Sequence, residues 1–271
     1  MYKTIFIILF FPVLGLSYVS IAYGAVSDFV NTQSQAEQEE DYFPFSYILN
    51  GDWEQKSLHS DDDTSIRKDH AMLNVELIRQ NPELRFGCEV TSLAMMLRYA
   101  GIKTDKIQLF HAIKKDSDPL IRSNRGDILR WGNPDDGFVG DMTGRRAGYA
   151  AFDRPIVQLV NRYLPGRALN LTNKPFEEIL THVSKGYPVV VWTTGDYLLP
   201  DRWEAWYHGK QVIKTPLDLH AVVLVGFDEN NVYINDPLSG KKQIRIDKKQ
   251  FIASWKALKS RAVSYKKENG R

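Results

Sequence analysis

The sequence predicts an α+β fold, with helices in the first half of the working domain packed on an antiparallel sheet in the second. Three observations carry this. Behind the single cysteine, Cys88, the apolar residues Val90, Leu93, Ala94, Met96, Leu97 and Ala100 recur at three- and four-residue steps, the period of a half-buried helix. Residues 188–192 form a continuous Pro-Val-Val-Val-Trp run, the mark of a strand buried on both faces. Two more β-branched runs, 220–227 and 232–237, flank Asp228-Glu229-Asn230-Asn231 and read as an antiparallel hairpin.

The first 27 residues precede that domain. Lys3 is followed by an apolar stretch, residues 4–27, that ends near Ala22-Tyr23-Gly24-Ala25. A positive start, an apolar core and a small-residue end mark a secretory signal peptide. A run this long also serves as an uncut membrane anchor, so residues 4–27 are a candidate tether. No cysteine stands near its end, which excludes thioether lipid attachment. Either reading places the working domain outside the cytoplasm, secreted or held on the outer face of the membrane. A single cysteine makes no intramolecular disulfide, so the core alone must hold such a domain together. Residues 28–70 are polar and acidic, with an aromatic patch at 42–47, and read as an N-terminal extension. The triplet Asp61-Asp62-Asp63 lacks the alternating ligands, central Gly and closing Glu of a calcium loop.

From residue 71 to 260 the composition is that of a packed domain. Residues 73–78 alternate in the manner of a short strand. Residues 82–87 read as a loop, and the helix from the cysteine stops at Gly101. A second helix is expected over 104–115, capped by Thr104 or Asp105. Residues 122–148 are Gly-rich and aperiodic, a long loop suited to one wall of a substrate cleft. Helices are expected over 155–163 and 175–185. Residues 196–215 read as a second loop, rich in aromatics (Tyr197, Trp203, Trp206, Tyr207). A third strand is expected over 243–246 and a closing helix over 248–258, with Phe251, Ile252, Trp255 and Leu258 on one face. Residues 261–271 read as a solvated basic tail.

The chemistry centres on Cys88. At a helix start it faces unsatisfied backbone N–H groups and the positive end of the helix dipole. Both favour thiolate, the nucleophilic form, and the same N–H groups can stabilise an oxyanion. Position alone leaves open the plainer reading of a small buried hydrophobe. A partner base stands at the hairpin: His220 begins one strand and Asp236 ends the next, which brings imidazole and carboxylate to one rim of the sheet. A thiol nucleophile needs that pairing, His as base and Asp to orient its ring.

The segments Pro82-Glu83-Leu84-Arg85-Phe86-Gly87-Cys88-Glu89-Val90-Thr91-Ser92-Leu93-Ala94-Met95, Gly137-Phe138-Val139-Gly140-Asp141, His220-Ala221-Val222 and Val232-Tyr233-Ile234-Asn235-Asp236-Pro237 together resemble the C39-like family of bacterial papain-fold cysteine peptidases. The resemblance spans about residues 71–260. It implies a papain-like cysteine peptidase fold, Cys88 as nucleophile, His220 as general base and acid, and Asp236 as the group that orients it. Gln80 matches the family's oxyanion glutamine but stands further ahead of the cysteine than usual. Arg85-Phe86 replace the Pro-Thr pair common in the motif. Gly87, Gly137, Phe138, Trp203 and Trp206 are candidate substrate-binding positions.

The reading is therefore an exported cysteine peptidase that hydrolyses a peptide or amide bond through a Cys-His-Asp triad and a thioester acyl-enzyme. The expected partner is a peptide or cell-wall peptide substrate, and the expected state is a monomer. Two alternatives remain open: a non-catalytic peptide or cell-wall binding module on the same fold, and a transamidase. A formal net charge of +2 gives no broad basic field, which argues against nucleic acid. No phosphate loop or dinucleotide fingerprint occurs. His59, His70, His111, His182 and His208 show no close pairing, so neither metal nor cofactor is expected.

Overall fold

The computed structural model describes residues 69–268. The signal or anchor expected over 1–27 lies outside them, as does nearly all of the 28–70 extension. Among the described residues no helix is long and apolar enough to cross a membrane.

The chain opens with β1 (Ala71–Met72), then runs irregularly to α1 (Cys88–Tyr99) and α2 (Lys106–Ala112). Four short strands follow, β2 (Lys115–Asp116), β3 (Ile121–Arg122), β4 (Ile128–Arg130) and β5 (Phe138–Val139). Next come α3 (Asp153–Tyr163), β6 (Ala168–Asn170), α4 (Phe176–Ser184) and β7 (Val189–Thr194). The last part holds β8 (Trp203–His208), β9 (Gln211–Pro216), β10 (Leu219–Phe227), β11 (Asn231–Asp236), β12 (Lys241–Asp247), α5 (Lys248–Ala257) and β13 (Ala262–Tyr265).

The main sheet runs β12-β11-β10-β7-β13-β6, with β1 also paired to β10, and every pairing is antiparallel. Its centre is β7, all six residues buried, against β10, buried from His220 to Phe227. Helix α1 lies on one face, and its residues from Cys88 to Leu97 are all buried. Phe138, Trp192, Leu93 and Leu97 pack into the same core. On the other face α4 and α5 bring Phe176, Phe251 and Trp255 against Val191, Val222 and Leu224. A smaller sheet, β3-β4-β8-β9, stands apart from this core.

Local chemistry sets several of the boundaries. Asp105 caps α2 by accepting from the backbone N–H of Ile107 and Gln108, both at 2.8 Å, and Asp247 caps α5 through Gln250, each satisfying orphan donors of the first turn. Helix α1 has Gly87 before it and no side-chain cap, so its first N–H groups stay available.

Four expectations need correction. Residues 73–78 do not form a strand; the pairing is at Ala71–Met72, and the Leu73 N–H bond to Val225 O is the last trace of it. The 122–148 segment is not one open loop, because β4 and β5 are cut from it. The 196–215 loop is in large part a hairpin: β8 and β9 pair from Trp203↔Pro216 to His208↔Gln211, around Gly209 with φ +58°. Finally, the tail is not wholly solvated. Strand β13 is buried along its length between β6 and β7; Lys259, Arg261 and Lys266 around it mask its apolar character in the sequence.

Candidate active site

Helix α1 is seated on β10 by a hydrogen bond from Ser92 Oγ to Ala221 O, 3.1 Å. Cys88 lies one turn before Ser92, on the same face of the helix, and so stands by the strand residue that follows His220. The hairpin of β10 and β11 then delivers the second pair. Register Val223↔Asn235 places the start of one strand beside the end of the other, and His220 Nε2 lies 2.6 Å from Asp236 Oδ1. Both side chains are buried. Cys88, His220 and Gln80 line one cleft of about 900 Å³. The structure thus brings together the residues that the sequence placed about 150 positions apart.

Asp236 is held on all sides. Besides His220 it accepts from Tyr197 OH at 3.0 Å, from the Leu238 N–H at 2.8 Å and from the Ser239 N–H at 3.2 Å. Burial pushes its carboxyl up, but the His220 hydrogen bond and charge, with these further donors, hold it well below the ordinary carboxylate range. An ionised Asp236 accepts from Nε2–H, which leaves Nδ1 as the ring nitrogen for proton exchange.

Opposing influences act on the thiol. Burial pushes Cys88 up, and the charge of Glu89 pushes it further, while the Ala221 backbone works the other way. Loss of water therefore opposes the favourable field of the helix start. Glu89 itself is fully buried. Its Oε1 accepts from the Ala151 N–H at 2.9 Å and its Oε2 from the Cys88 thiol at 3.4 Å.

Gln80 is buried at the cleft edge, fixed by its backbone N–H to Pro237 O at 2.9 Å and its Nε2 to Arg85 O at 2.8 Å. Its Oε1 has no partner. The structure therefore keeps Gln80 at the site despite the long interval to Cys88.

The substrate-binding expectations divide. Trp206 lines the cleft, its indole N–H donating to Gly132 O at 2.8 Å. Gly87, Gly137, Phe138 and Trp203 are not on the cleft wall. Phe138 is fully buried in the core. Gly137 is small because the Lys115–Asp116 backbone would lie 2.5 Å from any Cβ, and Gly87 because Leu84 Cβ would be as close. Trp203 faces solvent, 44% exposed, under Lys214.

The 122–148 segment supplies much of the remaining wall, as expected, through Arg122, Ile128, Trp131, Thr143, Ala147 and Gly148. Trp131, Tyr149 and Trp206 cluster, with ring centroids 5.8 Å apart for the two tryptophans and 5.4 Å for Tyr149 against Trp206. Tyr149 OH bonds Thr215 Oγ1 and, at 2.9 Å, Pro216 O, which ties the wall to β9. Phe86, Leu217, Leu219 and Leu238 add apolar surface, and Arg85 and Arg122 are the charged lining residues.

Sequence reasoning also paired His208 with nothing, whereas its Nε2 lies 3.2 Å from Asp116 and 3.3 Å from Asp118, near Asp136. Those carboxylates already accept from the backbone N–H groups of Asp118 and Asn133 and from Arg154. The knot closes a surface corner of the smaller sheet.

Comparison with known proteins supplies the family. A family profile described as the Peptidase_C39 like family matches residues 72–263. The chain belongs to that family. It is 37% identical over 186 residues to an uncharacterised protein, YvpB, of Bacillus subtilis, covering 69% of this chain and 71% of that one. It is 38% identical, with a TM-score of 0.68, to a crystal structure from Bacillus anthracis assigned provisionally to the C39-like peptidases, covering 75% of this chain and all of that one. Prointerpain A of Prevotella intermedia is more distant, at 14% identity and a TM-score of 0.39 over 77% of this chain and 75% of that one. The α+β arrangement of this C39-like chain has the cysteine at the start of the long buried helix and the imidazole and carboxylate on adjacent antiparallel strands.

Proposed function

We propose that the chain is an exported cysteine peptidase that cleaves a peptide bond through Cys88, His220 and Asp236. The observation that carries this reading is the 2.6 Å His220–Asp236 pair opening into the cleft that Cys88 also lines. Cys88 Sγ attacks the scissile carbonyl carbon while its proton passes to His220 Nδ1, and Asp236 stabilises the imidazolium. The carbonyl oxygen becomes an oxyanion within reach of the Cys88 backbone N–H and the Gln80 side chain. The amine leaves with the proton from His220, giving a thioester. Water then attacks that carbonyl, His220 takes its proton, and the thiol is re-formed as the acid product departs.

The cleft supports a preference as well. Its walls are aromatic and aliphatic, and among its lining residues the charged ones are two arginines with no carboxylate beside them. That surface fits an apolar side chain with an anionic group close by. Export rests on residues 1–27, and attachment to the membrane on the same stretch.

The test is cleavage of a quenched-fluorescent peptide library by the full chain, with Cys88→Ala and His220→Ala as controls. Turnover in the wild type that both variants lose is the expected result. Cleavage that persists in Cys88→Ala, or specific peptide binding with no turnover at any pH, would overturn the reading in favour of another nucleophile or a binding role.

A further inference from the structure

We propose that Glu89 is a positioning residue that keeps the Cys88 thiol protonated in the free enzyme and restrains the nucleophile until His220 takes its proton. This rests on the peptidase reading above and adds a resting-state guard to it.

The first-turn position of Glu89 would ordinarily explain it as a solvated complement to the helix dipole. The structure removes that explanation, because Glu89 has no exposed surface. Among the described residues no Lys, Arg or His forms an ion pair with it. A buried carboxylate without a cation is costly, so its place beside a nucleophile calls for an account.

Its two oxygens have separate duties. Oε1 is anchored on the Ala151 N–H, and Ala151 is itself fixed through its carbonyl, which accepts from Trp192 Nε1 at 3.0 Å. Oε2 takes the thiol's hydrogen bond. The thiol is therefore placed to share its proton with Glu89. A thiolate formed there would share a desolvated pocket with a carboxylate, and two like charges at contact distance do not both ionise readily. Burial raises the Glu89 carboxyl to about 7 and raises the thiol above its ordinary value.

The other titratable groups nearby do not supply this control. Tyr149, on the cleft wall, is pushed up first by burial and also by the Glu89 charge, so it stays protonated. Asp236 faces His220 and stays ionised. Arg261 is engaged with Asp153 and Asp135. His220, the base of the proposed reaction, lines the same cleft as Cys88, so its charge and that of Glu89 are the two that vary near the sulfur. A neutral thiol is also the form that resists alkylation and oxidation, which matters for a lone cysteine in an exported chain.

A purely structural role for Glu89 would be to satisfy the Ala151 N–H, and glutamine does that equally well. Glu89→Gln therefore separates packing from charge. The full chain, wild type and variant, is alkylated with iodoacetamide across the pH range. The expected result is a midpoint lowered by about one pH unit in Glu89→Gln, or about tenfold faster alkylation at neutral pH. A folded variant with an unchanged midpoint would overturn the proposal. Should the variant not fold, the alkylation profile of His220→Ala, which leaves Glu89 as the titrating neighbour of the sulfur, decides alone. Two coupled steps, with the rate rising less steeply as Glu89 ionises, support the guard; a single simple ionisation overturns it. Neither readout needs a substrate. Absence of peptidase activity would sink the parent reading while leaving this result standing, and an active peptidase with an unshifted midpoint would sink the guard alone.

Discussion

Asp236 and Glu89 are both buried carboxylates one hydrogen bond away from a reactive side chain, yet the protein holds them at opposite ends of the carboxylate range. Asp236 gathers donors from His220, Tyr197, Leu238 and Ser239. Glu89 has the Ala151 N–H and a thiol, a weak donor. Burial penalises charge at both sites, and the count and strength of donors decides whether the penalty is overcome. The consequences for the neighbours are opposite. A carboxylate beside an imidazole favours the charged ring, while a carboxylate beside a thiol disfavours the charged sulfur. In the proposed reaction one site prepares the base and the other restrains the nucleophile.

The largest effect should come from removing the Asp236 charge. Asp236→Asn keeps the shape but loses the charge, and its amide NH2 can face His220 Nε2 and turn the ring to the other tautomer, so kcat/KM should fall by about 10³- to 10⁴-fold, as in triads where the ring adopts the wrong tautomer. A fall below tenfold in steady-state assays would show that the four-donor site is not what prepares His220.

The second break is thermodynamic. The Glu89 carboxyl is raised from 4.5 to about 7 in the folded protein, so the folded state binds this proton more tightly than the unfolded chain. Stability from this group is present below about pH 4.5 and is lost as pH rises through about 7. Glu89→Gln should therefore be more stable than wild type above neutral pH, by about 2 kcal/mol from the shift at roughly 1.4 kcal/mol per unit with a discount for relaxation, and no more stable in acid. Asp236 has the reverse sign: its carboxyl lies below the ordinary value, so its contribution is present above about pH 4 and is lost as pH falls. Urea melts of wild type, Glu89→Gln and Asp236→Asn over a pH series would show slopes of opposite sign if the comparison holds.

The smallest effect sharpens it. Tyr197→Phe removes one of the four donors to Asp236, at a cost of about 0.5–1.5 kcal/mol. The acid limb of kcat/KM should move slightly upward in pH while kcat at neutral pH changes only a few-fold. No movement of the limb would show that the other three donors suffice.

Much of this was legible in the sequence. The continuous run in β7 and the runs of β10 and β11 announce buried strands without help from other parts of the chain, and their turn fixes the pairing that joins His220 to Asp236. The cysteine at a helix start is equally local. The second hairpin, β8 and β9, was read as a loop because only Trp206, Ile213, Thr215 and Pro216 of its residues are buried, which leaves no clean apolar run. Strand β13 escaped because its four residues sit among basic ones and pair with β6 and β7, far away in sequence. Phe138 and Gly137 were expected at the cleft, but their motif serves packing against β2.

What the sequence determined by itself was the set of reacting groups and the local elements that carry them, since helix period, strand composition and a short turn are short-range properties. What only the tertiary structure decided was the electrostatic state of those groups. A helix start argues for thiolate wherever it occurs, but α1 is sunk beneath β10 with Glu89 beside the sulfur, and burial by residues 62 to 129 positions away opposes the local field. Charge depends on what excludes water, and that is a property of the assembled core.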